Sequence, residues 1–412
     1  LEQQKRGYMQ KIFTQKLRFK DKNGNAYTNW RTIELKNILE KIVDNRGKTP
    51  DNSSSEKYPL LEVNALGYYH PSYKKVSKFV SESTYNNWFR EHLKENDILF
   101  STVGNTGIVS LMDGYKAVIA QNIVGLRVNS NNLPAFVYYM LSYWENQKKI
   151  KRIQMGAVQP SVKVSQFKFI KYLVPIKDEQ EKIGMFFSKL DQQIELEEKK
   201  LKLLEQQKKG YAQKFYSQEL QFRDKFGNEY PKWETKLMGD ITKTFSGGTP
   251  KSSNLSYYNG PIPFIRSGEI SKKSTELKIT EKALNNSSAK LVEKGDLLYA
   301  LYGATSGEVA ISKINGAINQ AVLCIRSEES VSFLLNYLKL KKSHILNTYI
   351  QGGQGNLSAS IVKSITIKLP CKEEQIKIGN FLEKIDDLIE KQILKIKQLK
   401  QRKKGLLQKM FI

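Results

Sequence analysis

The chain has 412 residues, and 67 Lys and Arg against 41 Asp and Glu leave a formal charge of +26. That length suits two or three domains, and 40% hydrophobic with 10% aromatic residues excludes a disordered polycation, which could not bury enough apolar surface to fold. The charge excess favours a polyanionic partner, and no apolar run reaches the ~20 residues of a membrane span. Cys324 and Cys371, and His70, His92 and His344, stand singly. With no CxxC, HxxxH or HExxH spacing, no metal site is expected, and one disulfide between the two cysteines would not amount to a framework. The expected location is a reducing cytoplasm, with no membrane partner.

Residues 1–16 form a partial helical block that recurs. Leu1-Glu-Gln-Gln-Lys-Arg-Gly-Tyr8 returns as Leu204-Glu-Gln-Gln-Lys-Lys-Gly-Tyr211, and a shorter copy runs from Leu399 to Gly405. The first match continues through Phe19/Phe222 and Gly24-Asn25/Gly227-Asn228 to Trp30/Trp233. Because the chain opens inside a repeated block, either upstream residues are missing or residues 1–16 sit beside the matching C-terminal end.

Next comes a mixed module over 17–172. A charged turn, a strand and a Gly/Thr loop run through Asn96-Asp97-Ile-Leu-Phe-Ser-Thr-Val-Gly104-Asn-Thr106, and Ala120-Gln121-Asn122 precedes another apolar run. Strands are expected at Ile98–Val103 and Ile123–Val128, and a helix near Phe136–Lys151. From 173 to 216 the pattern becomes helical, with apolar residues at Ile183, Phe186, Leu190, Ile194, Leu201 and Leu204. Pro175 and the acidic Asp178-Glu179 suit the start of such a helix.

A second module follows over 217–367, opened by the turn Gly247-Gly-Thr-Pro250. It repeats the first only in outline, through Gly295-Asp296-Leu-Leu-Tyr-Ala-Leu-Tyr-Gly303-Ala-Thr305 and Asn319-Gln320-Ala321. Strands are expected at Leu297–Tyr302, Val322–Ile325 and Ile365–Leu369, with a helix near Val331–Leu346. The segment 368–412 is again helical, with Ile378, Leu382, Ile385, Ile389, Ile396, Leu399, Leu406 and Met410 at steps of three, four or seven. The fold class is therefore α+β, with one module used twice and long helices between. Ile183, Phe186, Leu190 and Ile194, with Ile378, Leu382, Ile385 and Ile389, are the expected helix seam and partner-docking residues.

Catalytic motifs are missing. Gly47-Lys48-Thr49 has Ile42 where a phosphate-binding loop needs Gly. No GxSxG elbow and no Asn/Asp-Pro-Pro-aromatic methylation motif occurs, and the chain reads as non-catalytic. What the modules do offer is Tyr, Lys and Arg interleaved with Asn, Gln, Ser and Thr, the chemistry of phosphate neutralisation and base-edge reading. Candidates for DNA contact are Arg46, Lys48, Thr49, Tyr68, Lys74, Lys75, Arg90, Asn105, Thr106 and Gln121 in the first module. In the second they are Thr249, Lys251, Arg266, Lys272, Lys273, Tyr302, Thr305 and Gln320. Lysine pairs on the helices, such as Lys199-Lys200 and Lys403-Lys404, read as solvated faces.

Taken together, Pro175-x-x-x-Glu179-Gln180-x-x-Ile183-x-x-Phe186-x-x-x-Leu190-Asp191, its twin from Pro370 to Asp386, the Lys-Lys-Gly-x-x-Gln-Lys blocks and the Ser246–Pro250 turn resemble the conserved regions of type I restriction–modification specificity subunits. The resemblance spans essentially the whole chain. It implies two target-recognition domains, separated by two helices that pair as an antiparallel coiled coil in a pseudo-twofold arrangement. Each domain would read one half of a bipartite asymmetric site in double-stranded DNA. It also implies docking of two methylation subunits, which use S-adenosylmethionine, and two restriction subunits, which use ATP and Mg. No cofactor is expected in this chain. One departure is Asn45-Arg-Gly-Lys-Thr-Pro50, where the second module has Gly-Gly-Thr-Pro. A second reading is a coiled-coil adaptor that binds nucleic acid without base preference.

Overall fold

A computed structural model describes residues 19–45, 47–349 and 356–410; the repeated block at 1–16 and the candidate Arg46 lie outside them. The chain forms two compact units. One runs to Glu198 and takes in the residues from Leu394 onward; the other is Lys199–Ile393.

In chain order the first unit has β1 (Arg31–Glu34), β2 (Leu39–Val43), β3 (Tyr58–Leu61), β4 (Phe79–Val80), α1 (Glu82–Trp88), β5 (Ile98–Ser101), β6 (Val109–Leu111), β7 (Val118–Ile119) and β8 (Ile123–Val128). Then come α2 (Pro134–Ser142), α3 (Trp144–Arg152), α4 (Val164–Phe167), β9 (Lys171–Val174) and the start of α5 (Lys177–Tyr216). An antiparallel sheet has the order β2-β8-β5-β6, a smaller one the order β4-β3-β7, and β1 pairs with β9. Strands β5 and β8 are buried almost throughout, so they read as mostly apolar runs rather than alternating ones, with Arg127 the charged exception in β8. Phe100 and Leu126 face a core completed by Phe136, Tyr139 and Phe167, while Leu99 and Ile123 face Leu61 and Ile119 of the smaller sheet.

The second unit repeats this plan with β10 (Glu234–Leu237), α6 (Met238–Ile241), β11 (Lys243–Ser246), β12 (Tyr258–Ile265), β13 (Lys278–Ile279), α7 (Glu281–Asn285), β14 (Lys290–Val292), β15 (Leu297–Ala300), β16 (Val309–Ile311), β17 (Gly316–Ile318) and β18 (Val322–Arg326). It ends with α8 (Val331–Tyr349), α9 (Ala359–Ser364), β19 (Thr366–Leu369) and the start of α10 (Lys372–Met410). Its sheets have the orders β11-β18-β15-β16, β13-β12-β17-β14 and β10-β19. Cys324 and Cys371 are free thiols, so no disulfide joins them.

One expected helix divides. The stretch near Phe136–Lys151 breaks at Tyr143, whose extended backbone separates α2 from α3. The side chains of Asn146 and Gln147 donate to the freed carbonyls of Met140 and Leu141, at 2.9 and 2.6 Å. Its counterpart α8 runs unbroken for 19 residues.

The long helices pair within each unit. In the first, Leu190 and Ile194 of α5 bury against Leu399 of α10. Around them Asp191 pairs with Lys403, Glu197 with Lys395 and Glu198 with Lys400. In the second unit Lys208 meets Asp386 at 2.6 Å and Tyr211 meets the Phe381 ring. In the first unit the early part of α5 meets the late part of α10, and in the second the late part of α5 meets the early part of α10, so the pairing is antiparallel in each. The internal repeat places the same Asp–Lys pair in both units. The seam is shorter than its periodicity suggests. Ile183 belongs to the first module's core and Phe186 lies against it, while Ile378 and Leu382 belong to the second module's core, so the opening turns of each helix face their own module. Ile385 and Ile389 are half-buried.

Two glycines test the packing. A Cβ on Gly247 would lie 1.8 Å from the Ile318 carbonyl oxygen, which is backbone and cannot swing away. Gly247→Ala should therefore destabilise the second unit by more than about 1 kcal/mol. Gly210 sits inside α5 with open space where its Cβ would go, so Gly210→Ala should stabilise by up to about 1 kcal/mol. Thermal unfolding, with hydrogen exchange to locate the change, distinguishes the two outcomes.

Candidate nucleic-acid interface

The loops that carry the candidates hang from a matched pair of anchors. In the first unit Asp97 takes two hydrogen bonds from Arg127, Nε at 3.0 Å and Nη2 at 2.9 Å, and both residues are buried. In the second, Asp296 takes the same two from Arg326 at 2.9 and 2.7 Å. Burial acts to raise the Asp296 carboxyl, and the Arg326 guanidinium together with the Glu293 amide outweighs it, holding the group below its ordinary value. Each carboxylate lies 30 residues before its arginine. This recurrence was present in the sequence and identifies the charged turns as structural braces of β5 and β8, and of β15 and β18. Glu91 extends the first brace to Arg127 and Lys41.

Beyond each brace the Gly/Thr loop turns through left-handed backbone. Gly104 and Gly107 have φ of 75° and 82°, and Gly303 and Gly307 have 78° and 79°, where a side chain would be strained. Ser101 Oγ donates to the Asn105 carbonyl at 2.7 Å and accepts from Ile108 N at 2.8 Å, while Gly104 N reaches the Pro160 carbonyl at 2.8 Å. In this way three separate segments, the turn at Gly47, the loop at Gly104–Asn105 and Gln121-Asn122, are brought with Gln159 around one cleft of 400 Å³. Gln159 went unnoticed in the sequence because it lies in a loop with no periodicity.

The differing opening turns have different physics. In the first module Asn45 is buried, donates to the Lys48 carbonyl at 2.9 Å and accepts from Gly47 N at 3.0 Å, so its side chain builds the turn. In the second, Gly247 and Gly248 pass so close to Ile318 and Ser288 that no side chain fits.

Not every candidate is free to reach a partner. Lys48, Thr49, Arg90, Asn105 and Gln121 are exposed in the first unit, and Lys251, Lys272 and Lys273 in the second. Lys75 lies over the Tyr68 ring at 5.0 Å, and Tyr68 and Lys74 line another recess, of 950 Å³, with Tyr138 and Glu195. Thr106 is buried and accepts from Gln154, which makes it a loop support rather than a reader. Arg266 is held by Glu269 at 2.9 Å and Glu276 at 2.5 Å; these carboxylates raise its pKa and occupy its donors. Thr249 donates to Gln320 Oε1 at 2.6 Å, so these two candidates engage each other. Tyr302 lies against the module core, and Thr305 is half-buried. Among the described residues no group of three His, Cys, Asp or Glu is gathered as for a metal, and no helix is long and apolar enough to cross a membrane.

Two braced modules with variable loops, each tied to long paired helices, define a DNA-specificity architecture. A family model described as the type I restriction modification DNA specificity domain matches residues 27–206 and again 230–399, and the chain belongs to that family with two copies of its domain. It is 26% identical over 408 residues to the putative type I restriction enzyme MjaX specificity subunit of Methanocaldococcus jannaschii, covering 93% of each chain. It is 32% identical over 185 residues to the MjaIX specificity subunit of the same organism, covering 42% of each. The Escherichia coli EcoR124I/EcoR124II specificity subunit is 28% identical over 166 residues, 38% of this chain and 41% of that one. The fold is shared with the crystal structure of the type I restriction–modification S subunit from M. genitalium, with a TM-score of 0.59 at 17% identity over 94% of this chain and 97% of that one.

The Glu91 brace predicts an acid response. Hydrogen bonds from Lys41, then Arg127, hold its carboxyl at about 2 instead of the ordinary 4.5. A carboxyl depressed on folding stabilises above its unfolded value, and that stabilisation is lost as pH falls from about 4.5 towards 2. Glu91→Gln should cost about 1 kcal/mol or less at neutral pH, the scale of a partly solvated ion pair, and should flatten the acid limb. Unfolding temperatures of the two proteins across that range check it.

Proposed function

We propose that this chain supplies the address of a type I restriction–modification complex. Each module reads one half of a bipartite asymmetric site in double-stranded DNA. The long helices dock two methylation subunits, and two restriction subunits join that assembly. The carrying observation is a framework built twice with the same locks, among which the Asp–Arg braces and Asp–Lys helix pairs recur, while the loops they support differ. The chemistry falls to the partners: S-adenosylmethionine belongs with the methylation subunits, and ATP and Mg with the restriction subunits. The chain itself is non-catalytic, needs no cofactor and works in the cytoplasm.

The docking faces are better sought on exposed apolar residues than on the buried seam. Helix α5 leaves Leu196 65% and Leu203 59% exposed, and α10 leaves Leu388 50% and Leu394 54% exposed, which suits a partner's helices.

Affinity for DNA should depend steeply on salt. If ~6–10 phosphates are neutralised, binding should weaken by about 10³–10⁵ between about 50 and 200 mM salt. A nearly flat plot of log K against log salt would count against a +26 chain acting through phosphates.

Exchange of residues 237–367 for the matching segment of another family member should change one half of the methylated sequence and leave the other intact. Methylation mapping in cells carrying the cognate methylation subunit reads this directly. A change in both halves would rule out independent modules. Methylation without base preference would favour the adaptor reading, which the family membership does not.

A further inference from the structure

We infer that the cleft of the first module reads an A·T base pair, through carboxamides and two valines, and that the second module does not use the same device. This rests on the DNA-reading function proposed above and names the residues and the base it concerns.

Among the described residues the polar side chains lining the cleft are Asn105, Gln121, Asn122 and Gln159, all carboxamides and none charged. Asn105, Gln121 and Gln159 are exposed. Asn122 has a buried side-chain oxygen with no hydrogen-bond partner, an unmet acceptor that gains by turning out to a base edge. The apolar lining is Val63 and Val103, both half-buried.

That composition matches one base pair better than the others. In the major groove adenine shows an N7 acceptor beside an N6 donor, which a carboxamide meets with its own donor and acceptor. Thymine shows a methyl group, which takes apolar contact. Guanine is better met by Arg or Lys and cytosine by Asp or Glu, and among the described residues the lining has no such side chain. The two left-handed glycines at the cleft, Gly47 and Gly104, add bare backbone to its lining.

The second module lacks two of these carboxamides. Aligned on Gly303, Asn105 is replaced by Ala304, and aligned on Gln320, Asn122 is replaced by Ala321. Gln320, the counterpart of Gln121, is occupied by Thr249. The two modules therefore do not present the same carboxamides.

The test uses the full chain with its cognate methylation subunits, mapping methylated sites in cells for the unaltered protein and for Gln121→Ala, Gln159→Ala and Asn122→Ala. The first two remove exposed side chains, and the third installs what the second module already has. The exchange of residues 237–367 identifies which half-site belongs to the first module. Each variant should lose about ten- to hundredfold discrimination at one A·T position in that half-site, while the other half-site stays as sharp as before and shows that the complex assembled. Unchanged half-sites in all three variants, or relaxation only at a G·C position, would overturn the inference and leave the DNA-reading function standing. If the unaltered chain directs no sequence-specific methylation, that underlying function fails instead.

Discussion

A carboxylate and a carboxamide buried side by side in the first turn of each long helix decide how helix and module are joined. Glu179 accepts from Trp30 Nε1 at 3.1 Å, and Glu374 accepts from Trp233 Nε1 at 3.0 Å. Beside them Gln180 accepts from Leu133 N and donates to Asn132 and the Pro175 carbonyl, while Gln375 accepts from Ser330 N and donates to Glu329 and the Pro370 carbonyl. Burying an ionisable group is expensive unless it is paired, so this arrangement tolerates little change of angle. For Glu374 burial prevails and raises the carboxyl above its ordinary value, with the indole working against it. The lock reaches further through Phe186 and Phe19, and through Phe381 and Phe222, which meet edge to face in the same way in both units. It explains why the spacing from Pro to Glu-Gln to Phe recurs almost unaltered while the surrounding loops drift.

Much of this was legible in the sequence because it is periodic or repeated. The span of α5 was readable from the steps between Ile183 and Leu204, and β8 from an apolar run interrupted by Arg127. Strand β12 was not. Its Pro261 and Pro263 argue against a strand, yet it pairs with β13 antiparallel around a bulge and with β17 parallel. The break at Tyr143 was equally hidden, because it depends on Asn146 and Gln147 reaching back to carbonyls that only the fold brings near. Periodicity also overstated the seam. An apolar stripe states that a face is covered without stating by what, and at Ile183 and Ile378 the cover is the module.

The candidate contacts divide along a similar line. Residue type pointed to loops that the fold does bring together, since Gly104, Asn105 and Gln121 line one cleft. It could not tell a free side chain from one already engaged. Arg266 and Thr106 have the chemistry of readers, but Glu269, Glu276 and Gln154 occupy them. The partners of such residues lie within the same module at separations of 3 to 48 residues, with no pattern to signal them.

The burial of β5 and β8 on both faces has an evolutionary consequence. Strands Ile98–Ser101 and Ile123–Val128 are buried in the core of the first module, and the candidate loops emerge from their ends. Exposed positions such as Asn105 and Gln121 contribute little to stability. Their identities are therefore open to drift under selection for a new target, because an altered loop does not jeopardise the strands beneath it. A lineage can change what it recognises without first accumulating compensating mutations in its core.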